Sequence, residues 1–339
     1  MRVAVIGATG AVGREMIRTL EERSFPLEEL VPLASPRSEG TRIPFRGSDV
    51  RVEVLMPSAL SGADLALVSA GAAVSKEFIP AAAAAGTVCI DNSSAFRMDP
   101  DVPLAIPEIN PESLEGSPKI VAVANCTTIT AMMPLGPLHR AAGLRSLVLS
   151  SYQSVSGAGQ KGIRELAEQI EKLHGTEEEM AHAEWSSMPS GEVFGKTIAY
   201  NVVAKIADFT DGGFTTEELK MMAEPRKILG IPDLEVAATA VRVPVPVGHA
   251  VSISASFSRE ISPDEAREIL SSAPGVTVMD DPANGLYPSP LESAGRDDVL
   301  VGRIRQVPGR SDTLLLFSCG DNLRKGAALN AVQIAEYLF

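Results

Sequence analysis

The first third of the chain alternates between two hydrophobic patterns. Short apolar runs that predict buried strands lie at residues 2–6, 29–34, 64–68, 87–90 and 120–124. The segments 11–23 and 75–85 have the wider apolar spacing of helices, and the second is rich in alanine. Strands that alternate with helices form βαβ units, so this part of the chain predicts a Rossmann-like α/β domain with a parallel sheet.

The rest of the chain has longer, partly alternating apolar runs, which are typical of antiparallel strands with one covered face. Such strands are predicted at residues 145–155, 235–243, 249–258, 299–306 and 312–318, and helices at 160–173, 215–229 and 263–271. One amphipathic helix is predicted over 322–339. We expect a dinucleotide-binding domain formed by residues 1–125 and 320–339, and a mostly antiparallel α+β domain over 126–319.

The helix predicted at 215–229 contains two opposing signals. Thr215 and Glu218 have the spacing of a capping box, which favours a helix start. Pro225 falls late in the same segment and should kink or interrupt the helix, because proline lacks the backbone N–H of an intrahelical hydrogen bond.

Composition and charge narrow the class of protein. The length of 339 residues suggests about two domains. A net charge of −13 argues against a nucleic-acid partner, because phosphate backbones are held by dense Lys and Arg patches. The apolar stretches are too short to span a bilayer. A strand that begins at residue 2 leaves no room for a signal peptide, so we expect a cytoplasmic protein.

The chain has three widely spaced cysteines and no CxxC motif, which predicts neither a disulfide framework nor a metal site. Cys89 and Cys319 lie in or beside apolar runs and are expected in the core. Cys126 lies between a strand and a helix, where the helix dipole should lower the pKa of a thiol. This position alone is compatible with either a nucleophile or a buried residue. Of the histidines, His182 pairs only with Glu184, which is too few ligands for a metal ion.

A glycine-rich turn follows the first predicted strand. Gly7, Gly10 and Gly13 would let the backbone approach a pyrophosphate, bound by the N–H groups of the next helix. A tight turn without a ligand is the alternative. The second strand runs into Ser35–Ser38 without the carboxylate that usually binds the ribose 2′-hydroxyl of NAD. Arg37 suits a 2′-phosphate instead, which favours NADP as the cofactor. An ordinary polar turn with a solvated Arg37 is the alternative.

Several motifs, in order along essentially the whole chain, are similar to those of the aspartate-semialdehyde dehydrogenase family. They are GATGAVG (7–13), DNSSAFR (91–97) with IPEIN (106–110), NCTT (125–128), SYQSVSGAG (151–159), EELK (217–220), Arg242 with His249, and DNLRKG (321–326). The resemblance implies NADPH-dependent reductive dephosphorylation of L-aspartyl 4-phosphate to L-aspartate 4-semialdehyde, in the biosynthesis of lysine and diaminopimelate, threonine, methionine and isoleucine. It also implies a homodimer formed through the second domain.

The resemblance further assigns a role to individual residues. It implies that Cys126 is the nucleophile that forms an acyl-thioester, that Gln153 orients the substrate, and that His249 is the general acid/base. The residues that it implies for substrate binding are Arg242 for the α-carboxylate, Glu217 for the ammonium, and Arg97, Lys220 and Asn125 for the phosphate. Those that it implies for the cofactor are Gly7, Thr9, Gly10, Ala11, Val12, Gly13, Ser35, Arg37, Ser38, Ser156, Gly157 and Asn322.

Simpler interpretations compete with these assignments. Glu217 and Lys220 have the spacing of a surface ion pair on a helix, and Arg97 could pair with the nearby Asp99 at the surface. N-acetyl-γ-glutamyl-phosphate reductase has the same architecture and thioester chemistry, but its substrate has no free ammonium for Glu217. Glyceraldehyde-3-phosphate dehydrogenase has a similar cysteine motif without the other segments. A non-catalytic NADP-binding paralogue is the alternative from another class.

Overall fold

The computed structural model describes residues 1–182 and 188–339, and it contains two main sheets. The first sheet has the strand order β5-β2-β1-β6-β7-β9-β8, and all its pairs are parallel. The helices and strands of this part are β1 (Arg2–Ile6), α1 (Ala11–Glu22), β2 (Glu29–Ala34), β3 (Arg42–Phe45), β4 (Ser48–Arg51), β5 (Glu53–Val54), β6 (Leu65–Val68), α2 (Ala72–Ala84), β7 (Val88–Asp91), β8 (Leu104–Ala105) and β9 (Ile120–Val123). The predicted Rossmann-like architecture is confirmed.

The sheet of the second half is mixed. Its order is β11-β10-β12-β15-β14-β13, with antiparallel pairs in the middle and a parallel pair at each edge. The elements are α3 (Cys126–Ala142), β10 (Leu144–Gln153), α4 (Gln160–Leu173), α5 (Glu177–Ala181), α6 (Thr216–Leu229), β11 (Glu235–Arg242), β12 (His249–Phe257), α7 (Pro263–Ser271), β13 (Val276–Val278), α8 (Pro290–Ser293), β14 (Val299–Val307) and β15 (Arg310–Gly320). The predicted antiparallel character therefore holds for the centre of the sheet and not for its edges.

Helix α3 connects the two sheets. It begins directly after β9, and most of its residues are buried, including Pro134 and Pro137. Its side chains share one apolar core with β1 and β9 of the first sheet and β12 of the second. The start of α3 is therefore held from both sides by packed side chains, which fixes the position of Cys126.

The expectation that Pro225 interrupts its helix is wrong. Helix α6 continues from Thr216 to Leu229 with Pro225 inside it. The predicted capping box of Thr215 and Glu218 is present, and Gly230 ends the helix in the left-handed conformation with φ 67°. With both ends stabilised and Pro225 itself buried, the loss of one intrahelical N–H is tolerated.

The prediction of a single helix over 322–339 is also wrong in part. A π-helical turn at Arg324–Ala328 precedes the α-helix α9 (Leu329–Leu338). A Cβ atom on Gly326 would lie 2.9 Å from Cβ of Cys126, so the wider turn places a residue without a side chain against the start of α3. Helix α9 then packs on the first sheet beside α1, where Glu336 binds Arg23 at 2.6 Å. Apolar spacing carries no signal for a π turn.

Candidate active site

A cleft of about 730 Å³ lies where β9 and α3 meet the end of β10. The carboxyl ends of parallel strands are the usual ligand-binding edge of such a sheet. The cleft is lined by Val12, Ser69–Ala72, Asn92–Ser94, Arg97, Ala124–Cys126, Gln153, Ser156–Ala158, Ile206, Ala207, Glu217, Lys220, Arg242, Asn322, Leu323, Gly326 and Ala327. It therefore brings together predicted residues from both halves of the sequence.

The glycine turn reaches this cleft through Val12, while Gly7, Gly10 and Gly13 are not among the lining residues. Gly7 has φ +83°, and a Cβ there would lie 2.4 Å from the carbonyl oxygen of Ser69. A Cβ on Gly13 would lie 2.2 Å from the carbonyl oxygen of Gly7. Gly10, the N-cap of α1, has no side chain to occupy the first N–H groups of that helix. Gly7 and Gly13 therefore allow the close backbone approach of this turn, and the uncapped N–H groups at the start of α1 fit a pyrophosphate group.

Of the other residues predicted to bind the cofactor, some line the cleft and others lie outside its lining. Val12, Ser156, Gly157 and Asn322 line the cleft. Thr9 lies beside Ser38, with 3.2 Å between their hydroxyl oxygens. The turn from Ser35 to Arg37 is exposed after β2, and Ala11 is the first residue of α1.

Cys126 is the first residue of α3 and lies at the floor of the cleft. Asn125 is the N-cap, and its Oδ1 accepts hydrogen bonds from the N–H groups of Thr127 at 2.9 Å and Thr128 at 3.3 Å. Burial and the charge of Glu217 raise the pKa of the Cys126 thiol to about 11. The lowered pKa expected at this helix start is therefore wrong, because burial and the charge of Glu217 outweigh the lowering effect of Arg97, Arg242 and the N–H of Thr127. Cys89 and Cys319 are buried, as predicted.

A polar cluster of four side chains adjoins the thiol. Oε1 of Glu217 accepts hydrogen bonds from Nδ2 of Asn125 at 2.9 Å and from Nε2 of Gln153 at 3.2 Å. Oε2 of Glu217 binds Nζ of Lys220 at 3.1 Å. Burial opposes the charge of Glu217, but Lys220 and the two amides outweigh it and lower the pKa of the carboxyl. The ion pair thus lies in the cleft and not on a surface, which overturns the simpler interpretation of its spacing.

Arg242 lines the cleft, whereas His249 is not among its lining residues and lies directly beside Gly157, which is. His249 is fully buried, and its Nδ1 accepts a hydrogen bond from the backbone N–H of Ser154 at 3.1 Å. Burial, followed by the charge of Arg242, lowers the pKa of His249 to about 3. Nη1 of Arg242 binds the carbonyl oxygen of Ser154 at 2.6 Å. A Cβ on Gly157 would lie 2.7 Å from Nη1 of Arg242 and 3.3 Å from Nε2 of His249, so this glycine keeps space open beside both.

Asn322, which follows β15, forms hydrogen bonds with residues next to β10 and β12. Its Oδ1 accepts hydrogen bonds from the hydroxyls of Ser154 and Ser156, both at 3.1 Å, and from the N–H of Gly248 at 2.9 Å. Asn322 therefore contacts both strand ends that carry the polar site.

Arg97 is buried and does not pair with Asp99 at the surface. Its Nη1 lies 3.0 Å from Oε1 of Glu224, a residue that the sequence argument did not single out. Nε and Nη2 donate to the carbonyl oxygens of Val123 and Asn92 at 2.9 and 2.8 Å. Arg97 nevertheless lines the cleft. The spacing of Glu217, Lys220 and Glu224 on one helix was the available signal for Glu224.

The same arrangement has known relatives. Two family models match: "Semialdehyde dehydrogenase, NAD binding domain" over residues 2–117 and "Semialdehyde dehydrogenase, dimerisation domain" over residues 135–325. The aspartate-semialdehyde dehydrogenase of Aquifex aeolicus is 48% identical, with 99% of this chain and 97% of that protein covered. That of Bacillus subtilis is 43% identical, with 100% and 97% covered. The chain belongs to the aspartate-semialdehyde dehydrogenase family.

Solved structures agree with this assignment. The aspartate semialdehyde dehydrogenase II of Vibrio cholerae, described as complexed with ASA, superposes with a TM-score of 0.92 at 40% identity, covering 99% of this chain and 97% of that one. The chain is thus an oxidoreductase with an NAD(P)-binding domain and a dimerisation domain. The comparisons do not favour N-acetyl-γ-glutamyl-phosphate reductase or a non-catalytic paralogue.

Residues 1–182 and 188–339 were searched for metal-binding groups and for membrane-spanning helices. Within them no group of His, Cys, Asp and Glu side chains could hold a metal ion. The pair of His182 and Glu184 falls partly outside, since Glu184 is not among the described residues. In the same part of the chain, no helix is long and apolar enough to cross a membrane.

Proposed function

We propose that Cys126 forms an acyl-thioester with L-aspartyl 4-phosphate, which is then reduced to L-aspartate 4-semialdehyde. The observation that carries this proposal is the position of the thiol, in one cleft with a cluster of acidic and basic groups and with Val12 of the glycine turn. A nucleophile there can hold an acyl group while reductant is delivered from the side of the glycine turn.

Each charged part of this substrate has a complementary side chain in the cleft. Arg242 suits the α-carboxylate, because its guanidinium is a planar, bidentate donor. Glu217 suits the ammonium, since its carboxylate is buried and charged. Arg97, Lys220 and Asn125 are the donors proposed for the phosphate. The uncharged acetamide of an N-acetylglutamyl substrate would offer Glu217 no cationic group of the substrate to bind.

The proposed reaction balances with the thiol as the starting form. Sγ of Cys126 attacks the acyl carbon, the bond from carbon to the phosphate oxygen breaks, and the thiol proton leaves with the phosphate. Gln153 holds the carbonyl group in place through its amide. When bound, NADPH supplies the hydride that reduces the thioester carbon. Breakage of the C–S bond then releases the aldehyde, and the Cys126 thiolate recovers a proton from solvent.

For His249, the contacts support a specific form of the proposed acid/base role. The N–H of Ser154 occupies Nδ1, so the neutral ring carries its proton on Nε2. Within the described residues Nε2 has no hydrogen-bond partner. A donor at this position suits the carbonyl oxygen, on which negative charge develops during both attack and reduction.

For the cofactor, we propose NADP with the pyrophosphate at Gly7–Gly13 and the 2′-phosphate at Ser35–Ser38. The turn after β2 offers Arg37 and two hydroxyls to an anion. Ser156, Gly157 and Asn322 would lie beside the nicotinamide. We also propose that residues 1–125 and 320–339 are the cofactor domain and that residues 126–319 are the catalytic domain.

Two copies are proposed to associate through the second domain. Val148 and Tyr152 on β10 are 58% and 37% exposed, which leaves an apolar strip on one face of the sheet. The matching family model carries the name dimerisation domain. We further propose a reducing, cytoplasmic location, which suits a nucleophile that must remain a free thiol.

The proposed reaction is tested in the reverse direction, in which the semialdehyde is oxidised. Purified protein should reduce NADP in the presence of L-aspartate semialdehyde and phosphate, and Cys126→Ala should abolish the absorbance change. Activity only with N-acetylglutamate semialdehyde would reject the substrate. Intact NADP binding without activity on either aldehyde would reject the catalytic proposal.

A further inference from the structure

Glu224 is a buried carboxylate that the proposed reaction does not use. It is 1% exposed, yet it follows Glu217 and Lys220 along the face of α6 that meets the cleft. A carboxylate is rarely buried without partners, because desolvation of its charge is costly. The partners of Glu224 are therefore informative.

The two oxygens of Glu224 bind two different parts of the site. Oε1 lies 3.0 Å from Nη1 of Arg97, and Oε2 accepts a hydrogen bond from the backbone N–H of Asn125 at 2.7 Å. One partner is the guanidinium proposed for the phosphate, and the other is the residue directly before Cys126. A single side chain thus fixes the distance between the anion donor and the nucleophile.

The remaining contacts of Arg97 complete this restraint. Its Nε and Nη2 donate to the carbonyl oxygens of Val123 and Asn92 at 2.9 and 2.8 Å. A guanidinium has five N–H groups, so three fixed contacts leave two for the cleft. The guanidinium is held by these three contacts, and its two other N–H groups remain for a ligand.

We propose that Glu224 is a positioning residue that orients Arg97 for phosphate relative to Cys126. The proposal rests on the function proposed above, in which Arg97 binds the phosphate of the substrate. Glu224→Gln tests it, because an amide has about the same size but only one acceptor oxygen. It can accept from Arg97 or from Asn125, and its NH₂ group then faces the other donor.

Glu218→Gln is the matched control on the same helix. Glu218 is also buried, and its oxygens accept hydrogen bonds from the N–H of Thr215 at 2.7 Å and of Ala240 at 3.0 Å. These contacts are structural, and Glu218 does not line the cleft. Any general effect of placing a buried amide in α6 should appear in both variants.

The measurement is the reverse reaction with phosphate varied at saturating NADP and semialdehyde. We expect Glu224→Gln to raise KM for phosphate about tenfold or more, with KM for NADP unchanged, because charge-assisted hydrogen bonds are lost. Phosphate should protect Cys126 from alkylation only at correspondingly higher concentration. Glu218→Gln should lower Tm without changing KM for phosphate or the phosphate concentration that protects Cys126. Glu224→Asp should have a KM for phosphate between those of the wild type and Glu224→Gln.

The outcomes separate the two proposals. An unchanged phosphate KM in Glu224→Gln, or an equal change in Glu218→Gln, would overturn the positioning role. If Glu224→Gln does not fold, Glu224→Asp gives the same test, because its shorter carboxylate cannot reach both partners. An inactive wild-type protein, or an Arg97→Lys variant with unchanged phosphate KM, would instead reject the function on which the proposal rests.

Discussion

The backbone N–H of Ser154 lies 3.1 Å from Nδ1 of His249, which favours the neutral ring with its proton on Nε2. A protonated ring would place two N–H groups against each other in a buried space. Together with the low pKa of about 3, this contact keeps His249 neutral throughout the physiological range.

The first prediction concerns pH. Because the pKa of His249 lies below its ordinary value, the ring is neutral above about pH 3, and kcat/KM should show no limb near pH 6.5 that belongs to this residue. His249→Ala should lower kcat by about 100-fold to 1,000-fold through loss of the Nε2–H donor. His249→Gln, which keeps an N–H donor, should lose less. A limb near pH 6.5 that disappears in His249→Gln would contradict the neutral assignment.

The second prediction concerns the thiol. The negative charge of Glu217 contributes to the raised pKa of Cys126, so Glu217→Gln should lower that pKa and speed alkylation of Cys126 at a fixed pH below it. The alkylation rate of the wild-type protein should rise with pH towards about pH 11. Mass spectrometry assigns the modified residue, and buried Cys89 and Cys319 should stay unmodified. Slower alkylation in Glu217→Gln would contradict the electrostatic argument.

The third prediction concerns the cofactor. Arg37→Ala should lower kcat/KM for NADP by about tenfold or more and leave the value for NAD unchanged, because only NADP has the 2′-phosphate. Arg42→Ala, an exposed arginine on β3, is the control for the loss of one positive charge nearby. Equal losses for both cofactors in Arg37→Ala would argue that Arg37 does not read the 2′-phosphate.

The fourth prediction concerns packing at the nucleophile. Gly326→Ala would place a Cβ 2.9 Å from Cβ of Cys126, so Cys126 or the π turn must move. We expect a loss of about 1–3 kcal/mol in the free energy of unfolding, together with a lower kcat. Gly212→Ala is the control, since a Cβ there meets only Phe214 at 3.8 Å. Thermal unfolding and kcat are measured on both variants, and an unchanged kcat in Gly326→Ala would count against tight positioning.

Much of the fold could be predicted from local patterns. Five of the seven strands of the first sheet were predicted to within a residue or two, because buried parallel strands are continuous apolar runs between turn residues. The two-residue strands β5 and β8 were not predicted. The hairpin of β3 and β4 was not predicted, since its strands are short and mostly exposed. The parallel edges of the second sheet depend on which strands become neighbours, and hydrophobic spacing does not contain that information.

The candidate site likewise has parts that local sequence patterns predict and parts that depend on contacts between distant residues. Cys126 and the glycine turn could be predicted because they lie next to elements with clear boundaries. The role of Glu224 could not, because its partners Arg97 and Asn125 are distant in sequence and one of them contributes only a backbone N–H. The expected fall in the pKa of Cys126 failed for a related reason. The helix start predicts a favourable dipole, but the burial of the thiol depends on tertiary packing, and the opposing carboxylate of Glu217 comes from a later part of the chain.

The chain passes between the two sheets twice, once after β9 at Cys126 and once after β15 near Asn322. Both passages lie in the wall of the cleft. Any hinge between the two halves must therefore run through the site itself.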